Sequence, residues 1–319
     1  MRREMHLPDQ GIDLTITPAM NHQQLTKIFE SGATNDLADE VLFLTTHIQP
    51  TFNSAAMQQL DQDVTRLFTG DYPGFLASNT RYHNFKHTRS VVLATSRLLH
   101  GLACSGSGQK VSVQAMELAL YSAYFHDAGL LRTEADQARS GAFYTQNHED
   151  RSIAILTQYL TDKGLPEFLG KECPSVIQCT NLDLDPAAIA FPSPAAKLAG
   201  CVLGSADILA QMADRYYLER LPFLFQEHQE GGLQTFGSAI ELMQNTTSFY
   251  HNIILHRLEK SFSNISKAMH IHFQARWQID ENLYYTNIMK NLDYLKTILE
   301  LCENRLECLQ TYLKRVPST

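Results

Sequence analysis

From residue 35 to residue 313, apolar residues recur at intervals of three and four almost without a break, and no alternating run is long enough to make a strand. That periodicity restricts the chain to helix packed on helix. Leu37, Val41, Leu42 and Leu44 begin a first helix that Pro50 ends, and residues 52–68 form a second, closed by Gly70 and the turn Asp71-Tyr72-Pro73-Gly74. Further helices are predicted over residues 84–102, 111–131 and 145–163. Residues 181–194, with three prolines and two aspartates, read as a loop. Helices follow over 195–215 and 216–229, then Gly231-Gly232, then two or three more between 233 and 313. The predicted class is all-α. Residues 1–32 form a polar N-terminal arm, and residues 33–319 one helical domain.

The 319 residues are 44% apolar and carry a net charge of −8. That apolar share fills a substantial core, and the acidic balance argues against nucleic acid as a partner. No stretch offers the roughly 18 uncharged apolar residues that a membrane span needs. The segment Met1-Arg2-Arg3-Glu4 opens a polar stretch without the apolar core of a signal peptide. The expected location is therefore cytoplasmic, away from membranes. The six cysteines are widely scattered with no Cys-x-x-Cys pair, and are expected to be reduced and structural.

Three segments combine helical apolar spacing with side chains that bind metal: Arg81-Tyr82-His83-Asn84-Phe85-Lys86-His87, Tyr124-Phe125-His126-Asp127-Ala128-Gly129, and Gly204-Ser205-Ala206-Asp207. His87 shares a face with Val91, Thr95 and Leu98; Asp127 is in register with Met116, Leu120 and Tyr124; Asp207 follows Gly200, Leu203 and Gly204. An imidazole or carboxylate buried without a partner costs several kcal/mol (about 2–7). Three helices that each turn such groups inward need a shared cation, and two histidines with two aspartates suit zinc, manganese or iron.

The ordered series His87, His126-Asp127, Asp207 resembles the H…HD…D signature of the HD superfamily of metal-dependent phosphohydrolases. The string Tyr82-His83-Asn84-x-x-His87 is similar to the Y-H-N-x-x-H motif of class I cyclic-nucleotide phosphodiesterases. The motifs cover residues 75–215. The resemblance implies an HD-domain/PDEase-like helical bundle with added N- and C-terminal helices. It implies that His87, His126, Asp127 and Asp207 hold a divalent metal (Zn, Mn, Fe or Mg; one ion or two), with Asp127 also catalytic as the bridge to a second ion. It gives His83 the part of general acid toward the leaving-group oxygen. Asn84 is expected to cap the helix that carries His87.

His148 follows the His-Asp pair as a candidate second-metal or phosphate ligand. Thr180 and Asn181 stand where the phosphodiesterases carry a threonine-aspartate step, as candidate substrate-pocket residues. Leu130 occupies the position of the second histidine in that family's H-D-x-x-H. The expected function is a metal-dependent phosphohydrolase acting on a small phosphorylated, nucleotide-like substrate, most directly a phosphodiester. A nucleotide or alarmone phosphomonohydrolase and a non-catalytic metal- or nucleotide-binding sensor are the alternatives. Tyr284, Ile288, Leu292, Leu295 and Leu299 line one face of a late helix, which either packs on the core or forms a homodimer surface.

Overall fold

A computed structural model describes residues 36–106, 111–303 and 305–314. The expected arm over residues 1–32 lies outside them. Twelve α-helices are present among the described residues: α1 (Asp36–Ile48), α2 (Ser54–Thr69), α3 (Phe85–Cys104), α4 (Val113–Phe125), α5 (His148–Asp162), α6 (Glu167–Ile177), α7 (Pro194–Met212), α8 (Tyr217–Glu230), α9 (Ala239–Phe249), α10 (Ala268–Trp277), α11 (Leu283–Leu301) and α12 (Leu306–Tyr312). The class is all-α. No described helix is long and apolar enough to cross a membrane.

Helix starts follow local chemistry. Asn84, Ser112 and Ser193 cap α3, α4 and α7, each accepting a hydrogen bond from the backbone N–H three residues on. Pro194 then opens α7, where its missing N–H costs nothing. α3 and α7 form the centre. α3 packs along α10, α7, α1 and α4, and α7 also lies against α4 and α6. Both are buried over most of their length, α3 with polar as well as apolar side chains. One apolar cluster extends from Leu37 to Leu309.

Two connections matter for the site. The segment before α3 pairs with the segment after the His-Asp turn: Phe75 and Thr133 form an antiparallel bridge, Leu76 N–H donates to Arg132 C=O (2.9 Å), and Glu134 N–H donates to Gly74 C=O (3.1 Å). The second connection is a short turn, Gln178–Thr180, that lies on α7. A Cβ on Gly204 would meet the Phe262 ring at 2.4 Å and the Cys179 carbonyl at 2.9 Å, so only glycine admits both.

The structure departs from expectation in four places. The helix predicted over 111–131 ends at Phe125, because its continuation is replaced by a tight turn, Ala128–Leu130. Its final carbonyls are taken by side chains: Ala123 C=O by His126 Nδ1 and His126 C=O by Ser152 Oγ. An additional helix, α6, forms despite Pro174 within it. The last third has more pieces than predicted, with π-helical segments Tyr250–Ile254 and Arg257–Ser261 after α9. Cys302 and Cys308 form a disulfide where reduced thiols were expected: the reversal between α11 and α12 brings their Cα atoms to 5.4 Å, within disulfide range. Cys104, Cys173, Cys179 and Cys201 are free.

The apolar face of α11 packs on the core: Tyr284, Ile288, Leu292 and Leu295 are buried, and Leu299 is half-buried against them. On the same helix Asn291, also buried, donates both amide hydrogens, to Met212 C=O and Asp214 C=O (2.9 Å each). This ties α11 to the end of α7. Asn291→Ala leaves two carbonyls without that donor and is expected to cost about 1–3 kcal/mol. Urea denaturation measures it.

Candidate metal centre

His87 lies in the first turn of α3, held by the cap: Asn84 Oδ1 accepts from His87 N–H at 3.2 Å. His126 and Asp127 come from the turn that follows α4, and Asp207 from the middle of α7. All four are at most 9% exposed. His87 Nε2 is 3.1 Å from Asp207 Oδ1, 3.5 Å from Asp127 Oδ2 and 3.3 Å from His126 Nε2. His126 Nε2 is 3.4 Å from Asp127 Oδ2 and 3.8 Å from Asp207 Oδ1. His87, His126 and Asp127 each offer one donor atom, with all three atoms within 4.8 Å of one another.

Two features make this convergence a candidate cation site. Asp127 Oδ2 is buried and has no hydrogen-bond partner among the described residues. An orphaned carboxylate oxygen in the interior is costly unless something cationic meets it. His126 Nδ1 lies 2.8 Å from Ala123 C=O and donates to it, which turns Nε2 toward the cluster. The donor set therefore fits a divalent metal of the borderline class.

The charges agree. Burial works to raise the Asp127 carboxyl, and the imidazoles of His126, His83, His87 and His148 outweigh it, holding Asp127 far below the usual carboxylate range. For Asp207 burial is likewise outweighed, chiefly by the hydrogen bond with His87. Burial, the largest influence on His87, lowers its pKa against the opposing pull of Asp207 and Asp127 and so favours the neutral form that can ligate a metal.

Beside the cluster, His83 forms a pair with Glu227 of α8. Glu227 Oε2 accepts from His83 Nδ1 at 2.8 Å, and its Oε1 accepts from Tyr82 N–H at 2.5 Å. Burial opposes protonation of His83, but the Glu227 hydrogen bond, aided by Asp127, Glu227 and Asp207, brings it up to about 9. The His83 ring lies 5.8 Å from the His87 ring and 6.4 Å from the His148 ring, centroid to centroid. Arg220, ion-paired to Asp214 at 2.9 Å, donates to the Tyr82 carbonyl. Tyr82 OH donates to Gln211 Oε1 (3.2 Å), whose amide donates to Asp207 Oδ1 (2.9 Å). The Tyr82–His83 segment and Asp207 thus share one hydrogen-bond chain.

His148 opens α5 with Nδ1 donating to Thr145 C=O (2.7 Å) and Nε2 facing Asp127 Oδ1 at 3.7 Å. Thr180 and Asn181 stand apart. The Thr180 hydroxyl donates to Ile177 C=O, and Asn181 Oδ1 accepts from Asp183 and Leu184 N–H. Among the described residues no hydrogen bond joins either to the cluster. Those side chains shape a turn, and Arg257 closes over it by donating to the carbonyls of Asn181, Leu182 and Leu184.

The pattern of residues did not point to Glu227, Gln211 or Arg220. Glu227 did carry a signal: it falls three residues after Leu224 and six after Leu221, on the inward stripe of α8.

Fold and site define an all-helical protein with a buried imidazole-carboxylate cluster. The chain belongs to the Npun_R2479-like family, whose model matches residues 74–290. No curated protein matches it. Among solved structures it is similar to the phosphodiesterase domain of Salpingoeca rosetta rhodopsin phosphodiesterase, at 13% identity, 92% coverage of each chain and a TM-score of 0.48. It is similar as well to the phosphodiesterase domain of the RhoPDE fusion protein from the same choanoflagellate, at 13% identity, 92% and 98% coverage and a TM-score of 0.47.

The His-Asp turn depends on Gly129. A Cβ there would lie 1.9 Å from the His148 carbonyl oxygen and 2.8 Å from Ser152 N. Gly129→Ala forces the turn and the start of α5 apart, with an expected overpacking cost of about 1–3 kcal/mol. Thermal unfolding of the metal-free protein reads it.

Proposed function

We propose that the chain is a metal-dependent phosphohydrolase, with His87, His126, Asp127 and Asp207 holding a divalent cation and His83 acting as general acid. The observation that carries this reading is the orphaned Asp127 Oδ2, buried with His87 Nε2 at 3.5 Å and His126 Nε2 at 3.4 Å. The motif order read from the sequence adds a phosphate ester as substrate, most directly a nucleotide-like phosphodiester. One apolar cluster from Leu37 to Leu309 supports reading residues 33–319 as a single domain.

When bound, a divalent cation supplies Lewis acidity toward phosphoryl oxygens and lets water ionise near neutral pH. The protein's own part is positional and protolytic. With Nδ1 held by Glu227, His83 keeps Nε2–H as its free donor, and a leaving alkoxide takes its proton there. Glu227 also fixes the Tyr82 and His83 backbone amides, so the acid is held from three points. His148 faces the far oxygen of Asp127 and is placed to hold a second cation or a phosphate oxygen.

Asp127→Ala is expected to abolish both Mn²⁺ binding, followed by calorimetry, and hydrolysis of bis-p-nitrophenyl phosphate. His83→Ala keeps the metal and loses about 10²–10⁴ in rate. Wild-type rates in His83→Ala would remove the acid from the mechanism, and equal metal loss in both variants would make His83 a ligand. Hydrolysis of p-nitrophenyl phosphate but not the diester would shift the substrate to monoesters.

The pH profile tests the pair separately. Only protonated His83 donates, and its protonated fraction falls as pH rises through the raised value of about 9. Glu227→Gln removes the carboxylate charge and weakens the hydrogen bond, so the pKa falls toward 6.5, the ordinary histidine value. The alkaline limb of the kcat profile is then expected at lower pH than in wild type. An unmoved limb would exclude this pair as the acid.

A further inference from the structure

The turn that delivers Asp127 is held from α5 more than from its own helix. Ser152, fully buried, uses its hydroxyl twice: Oγ accepts from Gly129 N–H at 2.8 Å and donates to His126 C=O at 2.6 Å. One hydroxyl hydrogen and its lone pairs satisfy both contacts at once. Arg151, the preceding residue, donates Nε to Gly129 C=O at 2.7 Å and Nη2 to Leu131 C=O at 3.0 Å. Its guanidinium lies 3.6 Å over the Tyr144 ring and 3.4 Å from Asp136, which in turn accepts from Thr133 N–H at 2.7 Å. Two adjacent side chains therefore hold the backbone of residues 126, 129 and 131. The same helix starts with His148, which faces Asp127 Oδ1.

We propose that Arg151 and Ser152 are positioning residues that staple the His126–Asp127 turn to α5 and thereby set the affinity of the cation site without touching the cation. The inference rests on the cation reading above. Groups that orient metal ligands at second hand are typically worth about 10–100-fold in metal affinity. The arginine fork matters as well as its charge, because two carbonyls are held by one planar group.

The test uses the full chain stripped of metal and titrated calorimetrically with Mn²⁺. Ser152→Ala and Arg151→Met are each expected to weaken binding about 10–100-fold, with Arg151→Lys recovering part of the loss. Hydrogen exchange on the metal-free protein supplies the second readout: residues 126–133 should exchange faster in Ser152→Ala, with α3 and α7 as protected as in wild type. If wild type binds Mn²⁺, Asp127→Ala does not, and Ser152→Ala and Arg151→Met bind as wild type does, the staple is overturned and the cation site stands. Loss of protection across α3 and α7 in both variants would also overturn it, since the role would then be in the fold at large. A wild-type chain that binds no Mn²⁺ overturns the cation reading and this inference with it.

Discussion

Two imidazole nitrogens and two carboxylates confront one another inside a helical core, and the surrounding structure is built to tolerate that. Desolvated lone pairs repel unless a positive charge lies between them, so the arrangement would be unstable as an accident of packing. Three elements bring the groups together: the first turn of α3, the turn after α4 and the middle of α7. Each group is at most 9% exposed, so solvent does little to screen them.

Orientation falls to a second layer of residues drawn from other helices. Gln211 steers Asp207, Glu227 steers His83, and Tyr82 links the two. α8 supplies both Glu227 and Arg220, so its register on the core decides where His83 sits. That division of labour is common in metal sites, where outer groups fix the tautomer and direction of inner ones.

The helices were legible because their period is strong, and so was the inward direction of His87 and Asp207. The end of α4 was not. Apolar spacing continues through Leu130 and Leu131, and the chain leaves the helix only because Ser152 Oγ and His126 Nδ1 take the carbonyls that would continue it. Asp127 was read as lying on a helix face and sits instead in the turn. Glu227 was hidden for another reason: its place on the inward stripe of α8 says that it is buried, but its partner His83 lies 144 positions away. Thr180 and Asn181 differ again: their types matched a substrate site, and in the structure the Thr180 hydroxyl and Asn181 Oδ1 bond within their own turn.

The short pairing around Phe75 and Thr133 bears on how His83 and Asp127 are mounted. Through it, the strand-like lead toward His83 and the exit from the His126–Asp127 turn are laced by backbone bonds that, proline aside, do not depend on which side chains stand there. The two loops that lead into α3 and out of the turn are thereby one backbone unit, so residues 74–76 and 132–134 share a single local frame on which His83 and Asp127 are both mounted.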